Sequence, residues 1–274
     1  MSTKSDSVQQ DGIRAFVREQ YGNVAATSGD GGCCAPMPVG GGGCCAGTIG
    51  GTNPTLLGYD AQAVAELPGG SEMGLGCGNP LALASLQPGE TVVDLGSGGG
   101  IDCFLAAKKV GPTGRVIGVD MTPAMISKAR QNAAKGKYAN VEFRLGEIEH
   151  LPVADNTATL IISNCVINLS PDKAQVIREC YRILKAGGRL SFSDIVATAP
   201  MPDELLQDLA VHAGCVAGAA QVTELEQMLK DAGFHSIRIT PNEASRQFIN
   251  EWFPGKEAGR YTVSALIEAV RMVR

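Results

Sequence analysis

Nine cysteines in 274 residues are the first chemistry that the chain offers. Four of them form two adjacent pairs, Cys33-Cys34 and Cys44-Cys45, inside a glycine-rich stretch over 28–51. Neither pair has the spaced C-x-x-C pattern of a zinc centre, and neighbouring cysteines rarely ligate one ion together. Cys77 sits between glycines in Gly76-Cys77-Gly78-Asn79-Pro80, Cys215 follows Gly214, and Cys165 follows Ser163-Asn164. Thiols in such loops suit thiol exchange, nucleophilic attack or soft-metal binding. Cys103 and Cys180 read differently: Cys103 opens a helical pattern as packing, and Cys180 falls on an apolar helical face as core. The three histidines, His150, His212 and His235, sit in no motif resembling a catalytic base.

A second candidate is Asp94-Leu95-Gly96-Ser97-Gly98-Gly99-Gly100. Glycines at 96, 98 and 100 remove Cβ atoms where a backbone must turn sharply and approach a ligand. The last glycine of the dinucleotide fingerprint would fall at Ile101 or Cys103, so a nicotinamide-cofactor pyrophosphate site is disfavoured.

Composition narrows the partners. Apolar residues make up 44% of the chain, enough for a sizeable core. A net charge of -5 with no cluster of Lys and Arg argues against nucleic acid. No run approaches the roughly 20 apolar residues that span a membrane. Residues 1–11 are polar and lack the apolar core of a secretory signal. A cytoplasmic protein is expected, and there disulfide staples are the less expected use of cysteine.

The elements that must position these residues follow from periodicity. Ile13, Phe16, Val17 and Tyr21 form one face of a helix over 12–21. Apolar runs predict strands at 91–95, 115–119, 141–145, 158–163 and 189–195. Helices are predicted at 101–109, at 123–134 after Thr122 with Pro123 in its first position, and from Ser170-Pro171 to Gly187-Gly188. The last of these has Ile177, Cys180 and Leu184 on its apolar face. This alternation predicts an α/β fold, a doubly wound and mainly parallel sheet. Pro200 and Pro202 mark a boundary before a helix over 204–213. A capping box at Thr223 and Glu226 opens another helix, 234–239 reads as a strand, and a helix is expected at the end. The expected organisation is an N-terminal helix with its Cys/Gly-rich segment (1–57), a central domain (58–198) and a small α+β cap (199–274).

In doubly wound sheets ligands bind beyond the carboxyl ends of the strands. The glycine loop, Asp120, Gly146 and Asn164 all fall there. The pattern Asp-x-Gly-x-Gly-x-Gly over 94–100 resembles the first motif of class I methyltransferases, which have a Rossmann-like fold. The resemblance implies S-adenosylmethionine as cosubstrate, held at Asp94, Gly96, Ser97, Gly98 and Gly100. Asp120 would meet the ribose, Gly146, Glu147 and Ile148 the adenine, and Asn164 the methionine end, with Met121 also at the cofactor. Amino-directed methyltransferases carry an Asn/Asp-Pro-Pro-aromatic motif where this chain has Asn164-Cys165-Val166-Ile167-Asn168-Leu169-Ser170.

That segment, Gly76-Cys77-Gly78 and Cys215-Val216-Ala217-Gly218-Ala219 together closely resemble arsenite methyltransferases, over most of the chain from Phe16 to Phe234. The resemblance implies that Cys77, Cys165 and Cys215 converge on trivalent arsenic, first as arsenite or its thiol adducts and then as methylarsonite. It implies that Cys44 or Cys45 exchanges a disulfide with Cys77, that thioredoxin or glutathione is the reductant, and that no stable metal cofactor is needed. Its biological role would be arsenic detoxification. The chemistry agrees on its own terms. Trivalent arsenic is soft and favours thiolates. Held by three of them it keeps a lone pair that can attack a sulfonium methyl without a general base, so positioning supplies much of the catalysis. Because thiolates are the ligands, affinity is expected to depend on pH. Two other readings use the same residues. A quinone or small-molecule C-methyltransferase would leave three loop cysteines idle. A thiol sensor of soft metalloids would bind arsenite without transfer.

Overall fold

The computed structural model describes residues 4–27, 53–82 and 84–273. Cys33, Cys34, Cys44 and Cys45 lie outside the described residues. The chain opens with α1 (Lys4–Thr27) and, after the undescribed segment, a short α2 (Ala61–Ala65). The alternating region then runs β1 (Thr91–Leu95), α3 (Ile101–Val110), β2 (Arg115–Asp120), α4 (Pro123–Gly136), β3 (Val141–Leu145), β4 (Ala158–Asn164), α5 (Lys173–Ile183) and β5 (Leu184–Ala197). The remainder is α6 (Asp203–Leu206), α7 (Leu209–Ala213), α8 (Val222–Asp231), β6 (Phe234–Asn242), α9 (Ser245–Trp252) and β7 (Thr262–Arg271).

One seven-stranded sheet has the order β3-β2-β1-β4-β5-β7-β6. The first five strands are parallel, and β7 runs antiparallel to both of its neighbours. The central strands are apolar on both faces, as parallel strands covered by helices must be. Val92, Val116, Leu160 and Ile162 point to α3 and α4, where Phe104, Ala107, Ile126 and Ala129 complete one core. Val93, Ile117, Val119 and Ile161 point the other way, to Val176, Ile177 and Cys180 of α5 and Leu225 and Leu229 of α8. Cys180 is fully buried, as its apolar face predicts.

Four expectations about local structure change. The closing segment is a strand, not a helix. Its residues are mixed, Ala, Leu, Glu and Arg favouring helix and Thr, Val and Ile favouring strand, but Val263, Ala265, Ile267 and Ala269 alternate into the core, and the gap between β5 and β6 offers hydrogen-bond ladders on both sides. Residues 199–274 therefore supply two strands of the main sheet as well as helices above it. The single helix expected over 204–213 is two short ones, the second capped by Asp208 through the backbone amides of Ala210 and Val211. The capping box lies two residues earlier than predicted, with Gln221 and Glu224 as its pair. Finally, α5 starts after Asp172, whose carboxylate accepts from Gln175 N at 2.9 Å, and it stops at Ile183. Leu184 begins β5, and Gly187-Gly188 lies inside the irregular opening of that strand rather than ending the helix.

Candidate functional site

The strand order reverses between β1 and β4, and a cleft of about 1000 Å³ opens there at their carboxyl ends. The glycine loop forms its floor. Gly96 has φ +69°, and a Cβ on it would stand 2.3 Å from a Val166 methyl, so the left-handed turn and the contact with the β4 loop both exclude a side chain. Ser97 lines the cleft, and its Oγ is buried with no hydrogen-bond partner among the described residues. Asp120 Oδ2 accepts from Gly98 N at 3.0 Å and Oδ1 from Thr122 N at 2.8 Å, which pins the loop to the end of β2.

Three buried carboxylates, those of Asp94, Asp102 and Asp120, line this cleft. Burial raises all three above the usual carboxylate range, Asp102 to about 6; in Asp94 the neighbouring Asp102 charge adds to the effect. Such a site favours a cationic ligand, whose charge offsets the cost of ionising them. Cys103, expected as packing, is buried and donates from Sγ to Asp94 Oδ2 at 3.2 Å.

Of the residues expected around a nucleoside, Asp94, Gly96, Ser97, Gly98, Asp120, Met121, Ile148 and Asn164 line the cleft. Gly100, Gly146 and Glu147 do not. Gly100 is left-handed at φ +99° and packs on Phe104 as the N-cap of α3. Glu147 is turned outward to Arg18 at 3.0 Å. The next acid, Glu149, faces in. It accepts from Ser170 Oγ at 2.8 Å and pairs with Arg14 at 3.3 Å. Arg14, Val17 and Tyr21 bring α1 over the cleft as one wall, a role that its apolar stripe did not announce.

At the far end lies the cysteine cluster. Cys77, Cys165 and Cys215 are 1%, 8% and 2% exposed, and all are free thiols. The Cys77 and Cys165 sulfurs and an Asp194 carboxylate oxygen lie within 4.8 Å of one another. Cys215 Sγ donates to the Cys165 carbonyl at 2.6 Å. Cys165 and Cys215 have φ +58° and +66°. Left-handed backbone at two residues that are not glycine is strained and marks a position held for its side chain.

Each loop is held by polar contacts that the motifs alone did not reveal. The Cys77 loop lies flat on β5, where a Cβ on Gly78 would meet Ser193 Oγ at 2.1 Å. Asn164 accepts from Cys77 N at 3.1 Å and donates to Gly78 O at 2.8 Å and to the Tyr59 hydroxyl at 2.9 Å. Tyr59 in turn donates to Asp102 at 2.8 Å. A continuous chain of hydrogen bonds, part-buried at Asn164 and buried at Tyr59 and Asp102, thus links the thiol loop to the floor of the cleft. On the other side, Asn168 donates to Asp194 at 2.9 Å and to the Cys215 carbonyl at 3.2 Å. Burial pushes Asp194 up to about 7. Burial and the two neighbouring thiols raise the Cys165 thiol well above its ordinary value. For Cys215 the contact with Cys165 pulls downward, but burial, Asp194 and Cys77 carry it up to about 11. At neutral pH Cys165 and Cys215 are therefore protonated until a ligand takes their protons.

Residues 86–233 match the methyltransferase domain family. An arsenite methyltransferase of Halobacterium salinarum is 52% identical over 273 residues, covering 95% of this chain and 67% of that protein. The chain belongs to the arsenite methyltransferase family. Another member, from Aquipseudomonas alcaligenes, is 43% identical over 61% of this chain, which spans only 50% of that relative. The crystal structure of an arsenic(III) S-adenosylmethionine methyltransferase from Chlamydomonas reinhardtii superposes with a TM-score of 0.62 at 32% identity, covering 80% of this chain and 73% of that one. The fold is thus that of a class I methyltransferase, a doubly wound sheet as expected, with the three cysteine loops of this arsenite methyltransferase family member gathered at one end of its cleft. Among the described residues no helix is long and apolar enough to cross a membrane.

Proposed function

We propose that this chain transfers methyl groups from S-adenosylmethionine to trivalent arsenic, first to arsenite and then to methylarsonite. One observation carries the reading: Cys165 lines the glycine-loop cleft, its sulfur lies within 4.8 Å of the Cys77 sulfur, and its carbonyl accepts from the Cys215 thiol, so donor and acceptor sites share a wall. The cleft fits the cofactor. Its buried Ser97 hydroxyl lacks a partner among the described residues, Gly96, Gly99 and Gly100 leave no room for a Cβ, and its three carboxylates suit a cation. When bound, S-adenosylmethionine supplies an electrophilic methyl group on a sulfonium. Asp120 would hold the ribose hydroxyls, and the carboxylates of Asp94 and Asp102 would offset its positive charge.

Cys77, Cys165 and Cys215 hold arsenite. Each thiol gives its proton to an arsenic-bound hydroxide, which leaves as water, and the sulfur takes its place. Arsenic keeps its lone pair and needs no base. Methylation oxidises arsenic by two electrons. Two thiols of the protein return them, lose their protons and join as a disulfide, and thioredoxin or glutathione reduces it. Cys77 and either Cys44 or Cys45 are the pair assigned to that step.

The test incubates the protein with methyl-labelled cofactor, arsenite and a thiol reductant, then separates the arsenic species. Labelled mono- and dimethylated arsenic is the expected result. Tight arsenite binding with no labelled product would replace this reading with that of a thiol sensor.

A further inference from the structure

Arsenic takes three sulfurs, but the fold gathers a different third donor beside two of them. The Cys77 and Cys165 sulfurs stand within 4.8 Å of each other and of an Asp194 carboxylate oxygen, and all three residues are buried. The Cys215 sulfur falls outside that group and donates to the Cys165 carbonyl at 2.6 Å. A carboxylate oxygen is a hard donor and adds little to soft trivalent arsenic. Two thiolates and one carboxylate are instead a donor set for a borderline divalent cation, of which Zn²⁺ is the type.

The geometry suits such an ion. Atoms within 4.8 Å of one another share a centre no more than about 2.8 Å from each, and Zn²⁺ holds sulfur at about 2.3 Å and oxygen at about 2.0–2.2 Å. A contraction of less than an ångström closes the site. The carboxylate is aimed by its own hydrogen bonds, as that of a metal ligand is. Asp194 Oδ1 accepts from Ile195 N at 2.8 Å and Asn168 Nδ2 at 2.9 Å, and Oδ2 accepts from Asn168 N at 3.1 Å. The Ser193 hydroxyl lies 3.6 Å from the Cys77 sulfur, where it can donate to a thiolate. Cys165 lines the cofactor cleft and also a smaller one of about 320 Å³, so an ion has a way in. Two thiolates and a carboxylate exceed the charge of Zn²⁺ by one, and the Lys173 ammonium, which interacts favourably with Asp194 and Cys215, offsets the excess.

We infer that Cys77, Cys165 and Asp194 form a site for a thiophilic divalent cation such as Zn²⁺, with water in the fourth position, and that this cation and arsenite exclude each other. The cation competes for the thiols and takes no part in the transfer. Each thiol releases its proton to solvent as its sulfur binds, and no electron moves. Cation binding stands apart from the arsenic reading above; only the exclusion rests on it.

The test uses full-length reduced protein with Cys33, Cys34, Cys44 and Cys45 changed to serine, so that the counted zinc belongs to the buried cysteines. Titration with Zn²⁺ against a chromophoric chelator should show one ion per chain; none overturns the inference. Cys77→Ser, Cys165→Ser and Asp194→Asn should each weaken zinc binding by about tenfold or more, since losing even a hydrogen bond to a ligand costs that much. Cys215→Ser should keep the zinc and lose arsenite, and Asp194→Asn should do the reverse. Loss of zinc in Cys215→Ser overturns the inference, as does wild-type zinc affinity in Asp194→Asn. X-ray absorption at the zinc edge decides without any change at Asp194: two sulfurs and two oxygens are expected, and three sulfurs overturn the ligand set. Zn²⁺ buffered at about ten times its Kd should raise the apparent Kd of arsenite about tenfold by mass action; an unchanged value removes the exclusion. The two readings fail separately. Zinc held by these ligands in a protein that binds no arsenite removes the arsenic reading alone, whereas methylation of arsenite by a protein that takes no zinc removes this one alone.

Discussion

Replacing Tyr59 with phenylalanine deletes a single oxygen from a buried chain of polar groups. That oxygen donates to Asp102, 2.8 Å from Oδ1 and 3.1 Å from Oδ2, and accepts from Asn164 Nδ2 at 2.9 Å. Tyr59 is 6% and Asp102 4% exposed, so water cannot take its place. A hydrogen bond to a charged group is worth about 1.5–3 kcal/mol, and leaving the buried partner unsatisfied puts the loss near the top of that range. Asn164 retains its bond to Gly78 O at 2.8 Å, which limits the damage on that side. The expected destabilisation is about 3 kcal/mol. At about 2–4 °C per kcal/mol for chains of roughly this size, Tm should fall by about 6–12 °C. The loss should also depend on pH. Burial sets Asp102 at about 6, while Tyr59 and Asn164 hold it down, so removing the hydroxyl moves it higher. A carboxyl whose folded pKa exceeds its unfolded value destabilises the fold only when ionised. The penalty is absent at low pH and grows as pH rises from the unfolded value through the folded one. Tyr59→Phe should therefore cost more well above pH 6 than well below it. Thermal melting of both proteins on either side of that value provides the assay. A variant that melts within a degree of wild type, or loses the same amount at both pH values, would refute the network. Because Asn164 also accepts from Cys77 N, kcat/KM for arsenite should fall as well.

Cys165→Ser and Cys215→Ser should abolish methylation of arsenite, while Cys77→Ser should lose arsenite but still methylate bound methylarsonite once, without the turnover that its disulfide supports; chromatography of the arsenic products decides, and full activity in either of the first two excludes the three-thiol site. Gly96→Ala should destabilise the fold by about 2 kcal/mol or more, since its φ is +69° and its Cβ would lie 2.3 Å from Val166. Calorimetry with S-adenosylhomocysteine should show its binding lost. Arsenite loading should become faster as pH rises, roughly tenfold per unit below the thiol pKa values. Its equilibrium affinity should change little between about pH 6 and about pH 8, because each thiol proton leaves with an arsenic hydroxide as water. This replaces the simpler expectation of an affinity that follows thiolate concentration; stopped-flow binding measures both quantities, and a flat rate would remove thiolate attack as the slow step.

Much of this was legible along the chain because it rests on local physics. The apolar runs in β1, β2, β4 and the second half of β5 are bounded by turns and buried on both faces, so their type follows from the local sequence. The glycine loop was legible because a backbone that turns at the end of a strand needs glycine, and Asp120 because it closes the next strand. What failed was local too. The segment 262–271 mixes helix and strand formers, and the open gap between β5 and β6 decides for a strand. Glu147 and Glu149 are two residues apart, and the direction each faces is set by Arg18 and Arg14 on a helix far away in sequence.

The cysteine motifs show the same division. Residue types and neighbours alone established three loop thiols, flanked by small or polar residues, and a family resemblance that ties them to arsenic. That they meet is a property of the tertiary structure. Asn164 and Asn168 hold the Cys77 and Cys215 loops through contacts 87 and 47 residues apart in sequence, and no spacing rule reports such distances. Left-handed backbone at Cys165 and Cys215, the Tyr59–Asp102 link and the Asp194 carboxylate beside two of the thiols were invisible for the same reason. Each exists only where separate elements pack together, and packing is decided by the whole fold.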